Sequence, residues 1–217
     1  MNIKPISFPA HYDELIKNKL NCPDFNIKTW EDSDLDELRK YIKDYYITAQ
    51  NYICPYCLQE TKSKHGRYWD IEHIIPRVQT VEFMFEPLNL CVSCVECNVL
   101  KGETRTTRSV AKVNYPKRRD LYNIIHPFFD DYHENIIPVK VGLFYYPKQE
   151  KGRVTIDCCG LNRFYQFADY VPFEESVRKI SELIELADNA KSPEIKKNIM
   201  EKISSISLGF LVKSSNK

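Results

Sequence analysis

At 217 residues the chain is long enough for one large domain, or for one domain with appended helices. Hydrophobic residues at 43 % allow a sizeable core and charged residues at 28 % suit a soluble protein, while a formal net charge of +1 excludes a global field that would select a partner. Any nucleic-acid surface must therefore be a local patch. No basic, apolar leader opens the sequence, and no apolar run approaches the roughly 18 residues needed to cross a bilayer. The expected setting is the cytoplasm, where eight cysteines suit metal ligands or buried thiols better than disulfides.

Residues 1–30 carry scattered proline and polar residues and read as irregular. Ser33 followed by Asp36 resembles a helix start, and Leu35, Leu38, Ile42, Tyr45 and Ala49 recur at steps of three and four, predicting an amphipathic helix. Residues 66–76 read as a strand running into a turn ended by Pro76, with Leu88 to Val92 as the returning strand. Val95 to Glu103 suits a short helix stopped near Gly102. From Lys101 to Arg119 there are seven Lys or Arg residues and one acid, Glu103, a run that suits a solvated face or phosphate contact. Farther on, Ile137–Tyr146 and Arg153–Cys159 read as strands joined across Pro147 to Gly152. Phe173 to Ala190 reads as a helix with Phe173, Val177, Ile180, Ile184 and Ala187 on one face, and Ser192-Pro193 starts another carrying Ile195, Ile199, Ile203, Ile206 and Phe210.

Cys54-x2-Cys57 and Cys94-x2-Cys97 form two thiol knuckles. Two intervening residues let both sulfurs of a knuckle meet one tetrahedral ion, and four thiolates leave it no open position, so the expected zinc is structural. Cys-Pro-Tyr-Cys is also an active-site string of thiol oxidoreductases, but there it sits near the N-terminus after a first strand, and no second pair accompanies it. Cys22, Cys91, Cys158 and Cys159 have no such spacing and read as buried small side chains.

Between and beside the knuckles stand Glu72-His73-Ile-Ile-Pro, Asn89-Leu and Cys97-Asn98-x2-Lys101. This order resembles the HNH endonuclease signature from Cys54 to Gly102, with His73, Asn89 and Asn98 on its three name-giving positions. The resemblance implies an α+β fold: a ββα-metal core with a structural zinc, flanked by an N-terminal helix and a C-terminal β and helical extension. The corresponding boundaries are 1–50 for the helical segment, 51–119 for the nuclease core and 120–217 for the extension. It also implies His73 as general base, Glu72 and Asn98 as ligands of a catalytic Mg2+ or Mn2+, and Asn89 as a tether for the loop bearing His73. Asp70 is the alternative metal oxygen, since many members carry aspartate where Glu72 stands.

The chemistry fits these residue types. Phosphodiester hydrolysis needs a base for water and a hard cation for the phosphate oxygens, and an imidazole and two oxygen donors supply them. Arg77, Lys101, Arg105 and Arg108 are the candidate nucleic-acid contacts. The substrate expected is DNA before RNA. A non-catalytic zinc-knuckle module that binds nucleic acid is the alternative. Past the core, His126-Pro-Phe-Phe-Asp130-Asp131, Gly152-Arg-Val-Thr-Ile156 and Gly160-Leu-Asn-Arg163 resemble the tail of HNH proteins from Septu-type anti-phage systems, which work with a separate ATPase subunit. The chain has no Gly-x4-Gly-Lys-Ser/Thr loop of its own. His126, His133, Asp130 and Asp131 read as a capped turn rather than a further metal site.

Overall fold

The computed structural model describes residues 3–63, 67–165 and 173–214. They form a mixed α+β structure in two compact units, one of residues 1–136 with 147–161 and one of 137–146 with 162–217.

The first unit is built on a two-stranded antiparallel sheet. Strand β1 (Trp69–His73) pairs with β2 (Leu90–Cys94) so that Glu72 lies opposite Cys91 and His73 opposite Leu90. Helix α3 (Val95–Lys101) follows β2 directly and ends at Gly102, whose φ of +46° suits a residue without a side chain. An earlier helix, α2 (Asp36–Ala49), lies against both strands through buried Leu38, Ile42, Tyr46 and Ile47. Each apolar side chain taken from water there contributes about 1.5–3 kcal/mol, so packing rather than propensity fixes α2 and the direction of each of its faces. The edge of β2 is closed by buried Gln50, whose side-chain oxygen accepts from the Val92 N–H (2.8 Å) and whose amide donates to the Val92 carbonyl (2.7 Å). This carboxamide takes the place of a third strand.

Several sequence expectations change. The stretch 1–30 is not irregular: it holds α1 (Ala10–Leu20) and a 3-10 turn at Ile27–Glu31. Only Ile16 of α1 is buried, so no apolar stripe marked it. Ser33 makes no cap hydrogen bond; Ser33–Leu35 is a 3-10 turn ahead of α2, and Arg39 ties that entry to the Trp30 and Asp32 carbonyls and to Asp36. Arg153–Cys159 is not a strand. Residues 153–158 lie in α5 (Glu150–Cys158), with Cys159 just past its end; α5 comes after the four-residue α4 (Tyr132–Asn135) and two intervening strands, and buries Gly152, Thr155 and Ile156. Gly152, read as a hairpin glycine, is there because an added Cβ would stand 2.0 Å from the Asn135 carbonyl oxygen. Cys22 is exposed rather than buried, whereas Cys91 and Cys159 are buried as expected.

The second unit holds residues 137–146 of a hairpin whose strands β3 (Ile136–Lys140) and β4 (Phe144–Pro147) turn at Gly142, with φ of +83°. The Asn162 side chain bonds both the N–H (2.7 Å) and the carbonyl (3.0 Å) of Tyr145. Helices α6 (Phe173–Asn189) and α7 (Pro193–Ser214) pack on each other, matching the two helices read from the sequence. Gly66 of the first strand reading, and the side chains of Phe173 and Phe210, lie outside the described residues. Among the described residues no helix is long and apolar enough to cross a membrane.

Candidate active site and metal centre

The two knuckles meet. The ligand atoms of Cys54, Cys57, Cys94 and Cys97 all lie within 4.8 Å of one another, the one such group among the described residues, and Cys57 Sγ stands 3.8 Å from Cys94 Sγ. A tetrahedron with Zn–S bonds of about 2.3 Å has sulfur–sulfur edges of about 3.8 Å. Four clustered thiols are therefore a donor set that suits one tetrahedral zinc. The first knuckle is a tight turn in which the Leu58 N–H donates to the Cys54 carbonyl (2.9 Å) and the Cys54 N–H to the Gln59 carbonyl (3.1 Å), with Leu58 at a φ of +56°. Because Cys94 ends β2 and Cys97 lies on α3, an ion here clips the sheet and helix to the Cys54 turn.

A cleft of about 530 Å3 opens beside this centre, lined among others by Glu72, His73, Arg77, Asn98 and Lys101. His73 is held from several sides. Its Nε2 stands 3.0 Å from the Met84 carbonyl oxygen and its ring meets Trp30 edge-on at 4.6 Å between centroids. A carbonyl can only accept, so Nε2 carries the hydrogen and Nδ1 keeps the lone pair. Burial, with the charges of Arg77 and Lys101, pushes the His73 pKa down to about 3, so the imidazole is neutral.

Glu72 is buried, and a single oxygen, Oε1, takes both the Lys101 ammonium (2.7 Å) and the Tyr56 hydroxyl (3.0 Å). Burial pushes the Glu72 carboxyl up, and Lys101 and Tyr56 oppose that shift. Both of these contacts fall on Oε1. Asn98 shows the same asymmetry: its Nδ2 donates to Asp70 Oδ2 (3.0 Å), which turns its amide so that the carbonyl oxygen is the atom left over. Glu72 and Asn98 both line the cleft, and a carboxylate and an amide oxygen are the hard donor types that Mg2+ or Mn2+ takes.

The backbone behind His73 is caged. The carbonyls of His73, Ile74 and Ile75 accept from Lys101 Nζ (3.0 Å), Thr106 Oγ1 (2.7 Å) and Asn89 Nδ2 (3.1 Å) respectively. The N–H groups of Ile74 and Ile75 donate to the carbonyl (2.9 Å) and Oδ1 (2.7 Å) of Asn89. Asn89 also holds the Phe83 carbonyl at 3.0 Å, so it ties together both ends of the loop between the strands. Behind it runs a buried relay. The Phe128 N–H donates to His126 Nδ1 (3.2 Å), which leaves Nε2 as donor to the Tyr115 oxygen (3.0 Å), and the Tyr115 hydroxyl donates to Asn89 Oδ1 (3.2 Å).

That relay makes a pH prediction. Burial, and secondarily Lys151, pushes the His126 pKa down to about 3 from an ordinary value near 6.5. The unfolded chain takes up a proton below about pH 6.5 while the folded chain does not, so stability falls as pH falls through that window. Between pH 7 and pH 5 this one histidine is expected to remove about 2 kcal/mol of unfolding free energy. Urea titrations with zinc present check this, and the slope should flatten by one proton in His126→Gln.

The remaining sequence candidates are placed differently. Lys101 is buried, and its ammonium serves Glu72 and the His73 carbonyl instead of projecting toward a substrate phosphate. Arg77 lines the cleft, donates to the Ile27 carbonyl (2.9 Å) and lies over the Trp30 ring. Arg105 and Arg108 are not in this cleft; they line another, of about 890 Å3, with Asp120, Asp130 and Glu134. Asp130 accepts the His126 N–H and Asp131 caps α4, the capped turn expected of that segment. Sequence reasoning missed Tyr56, Thr106, Tyr115 and the Met84 carbonyl. Only Tyr56, set between two knuckle thiols, carried a positional signal.

Neither a curated protein nor a solved structure matches the chain. The stretch that holds both knuckles, the sheet and α3 does match a family: residues 54–104 carry a domain described by the HNH endonuclease family model.

Proposed function

We propose that this protein is a metal-dependent HNH endonuclease that hydrolyses phosphodiester bonds of DNA. The observation that carries the reading is that one cleft is lined by an imidazole with a fixed tautomer and by two side chains with oxygen donors, Glu72 and Asn98. In this reading His73 Nδ1 takes the proton of the attacking water, and the Met84 carbonyl holds the ring while it does so. Burial is the main cause of the low His73 pKa, and an anionic phosphate beside Arg77 would offset the smaller part that the positive charges add. Glu72 and Asn98 would hold Mg2+ or Mn2+, with Asp70 orienting the amide. A bound ion supplies a Lewis acid for the phosphate oxygens and the departing oxygen. Lys101 opposes the burial that pushes the Glu72 carboxyl up and braces the His73 carbonyl. Asn89 is the tether of the loop.

The tail segments around His126, Gly152 and Gly160 support a narrower reading, an anti-phage nuclease of the Septu type acting in the cytoplasm with a separate ATPase subunit. Supercoiled plasmid tests the core claim. With Mg2+ or Mn2+ the purified protein should nick it, and Asn98→Ala should both slow cutting and weaken Mn2+ binding, read by electron paramagnetic resonance, while zinc stays near one ion per chain. DNA retained but never cut under any divalent ion would favour the zinc-knuckle binding module.

A further inference from the structure

We propose that Tyr56 is the positioning residue of the divalent-ion site: through its phenol, the thiol knuckle fixes the carboxylate of Glu72. The proposal rests on the nuclease reading, in which Glu72 holds the ion, and gives a role to a side chain outside that reading.

Tyr56 stands in the Cys54-Pro-Tyr-Cys57 turn, between two thiols of the metal centre. Turns usually lie at the surface, yet Tyr56 is fully buried. A phenol taken out of water needs a hydrogen-bond partner, and here the acceptor is Glu72 Oε1 at 3.0 Å. Glu72 lies on β1 and is itself only 1 % exposed. The backbone of the turn is anchored separately, since the Tyr132 hydroxyl of α4 donates to the Tyr56 carbonyl at 2.9 Å.

Three elements therefore meet at one oxygen. Strand β1 carries the carboxylate, the Cys54 turn carries the phenol, and the last residue of α3 brings the Lys101 ammonium to 2.7 Å. The two donors act differently. An ammonium is a compact charge on a flexible stem, about which a carboxylate can swing. A phenol on a buried ring donates from one fixed side, which removes that swing. Both donors belong to elements that the four thiols join: Cys54 and Cys57 flank Tyr56, and Cys97 lies one helical turn before Lys101. An ion on those thiols fixes the phenol and the ammonium relative to each other, and together they fix Glu72. Lys101 supplies charge and Tyr56 supplies orientation.

The experiment measures Mn2+ affinity of the zinc-loaded protein by electron paramagnetic resonance, without nucleic acid, in the parent, Tyr56→Phe, Glu72→Gln and the double variant. Tyr56→Phe keeps the buried ring and deletes one oxygen. It should weaken Mn2+ binding by about 10–100-fold, the usual effect of losing a group that orients a metal ligand, with zinc near one ion per chain and the melting temperature near the parent's. Glu72→Gln should weaken Mn2+ binding at least as much. The double variant should bind no more weakly than Glu72→Gln alone, because the phenol acts only through that carboxylate. Zinc content and melting temperature of each variant report that it folds, and Glu72→Asp replaces Glu72→Gln in the cycle if the latter loses zinc. An unchanged affinity in Tyr56→Phe, or losses that add in the double variant, overturn the positioning role and leave the nuclease reading standing. A Tyr56→Phe chain that loses its zinc shows the phenol to hold the fold instead, and also overturns it. A parent that binds no Mn2+, or whose affinity ignores the change at Glu72, overturns the ligand assignment and the proposal with it.

Discussion

Replacing His73 with alanine is expected to slow plasmid cleavage by about 10²–10⁴-fold, the usual worth of a positioned general base, with DNA binding largely kept. The physical reason is the fixed tautomer. Nε2 is committed to the Met84 carbonyl, so Nδ1 is the nitrogen available to water, and no other imidazole lines the cleft. Loss of the ring also removes its packing against Trp30, so the variant must be shown folded by zinc content and circular dichroism. In single-turnover kinetics the loss should fall on the cleavage rate rather than on the DNA concentration giving half-maximal rate. Unchanged cutting by a folded His73→Ala protein would remove the assignment. A related control separates the base from its support: Asn89→Ala leaves the Phe83 and Ile75 carbonyls, the Ile75 N–H and the Tyr115 hydroxyl without their partner. Its defect should appear first in melting temperature.

Removing zinc is expected to unfold the first unit's core rather than only silence it. Apparent binding free energies of structural zinc in four-ligand sites run to about 10–16 kcal/mol, against a typical domain stability of about 5–15 kcal/mol. The four thiols connect the Cys54 turn, the end of β2 and the head of α3, and the sheet they clip has only two strands, too few to stand without further packing. Cys97→Ala, or zinc extraction by a thiol-competing chelator, should lower the melting temperature steeply and broaden the transition. Mild EDTA that strips only a weakly held divalent ion should stop cutting while the circular dichroism spectrum stays native. A zinc-free protein that melts at its original temperature would show the four thiols to be packing, not ligation.

The knuckles were legible in the sequence because Cys-x2-Cys encodes a local geometry: two residues suffice to bring two sulfurs to one ion, wherever the rest of the chain goes. For the same reason the strand pair, α3 and the order of Glu72, His73, Asn89 and Asn98 could be read from local pattern, and so could the two late helices. Segments without a stripe or with a misleading one were not legible. Helix α1 buries one side chain, and in α5 the alternation of Val154 and Ile156 resembled a strand while the buried set, Gly152, Thr155 and Ile156, follows helical spacing.

By itself the sequence determined the donor types and their spacing: the thiols of Cys54, Cys57, Cys94 and Cys97, the imidazole of His73, the carboxylate of Glu72 and the carboxamides of Asn89 and Asn98, all within the stretch 54–104 that matches one family. Only the tertiary structure decided what each atom faces. It turned Lys101 inward onto Glu72 and His73, let Asp70 orient Asn98, and brought Trp30 and the Met84 carbonyl to the His73 ring. It also divided the cations of 101–119 between internal pairs and a separate cleft. A charge or a donor is a property of a residue, but whether it is free for a ligand depends on partners distant in the chain, and packing alone supplies those.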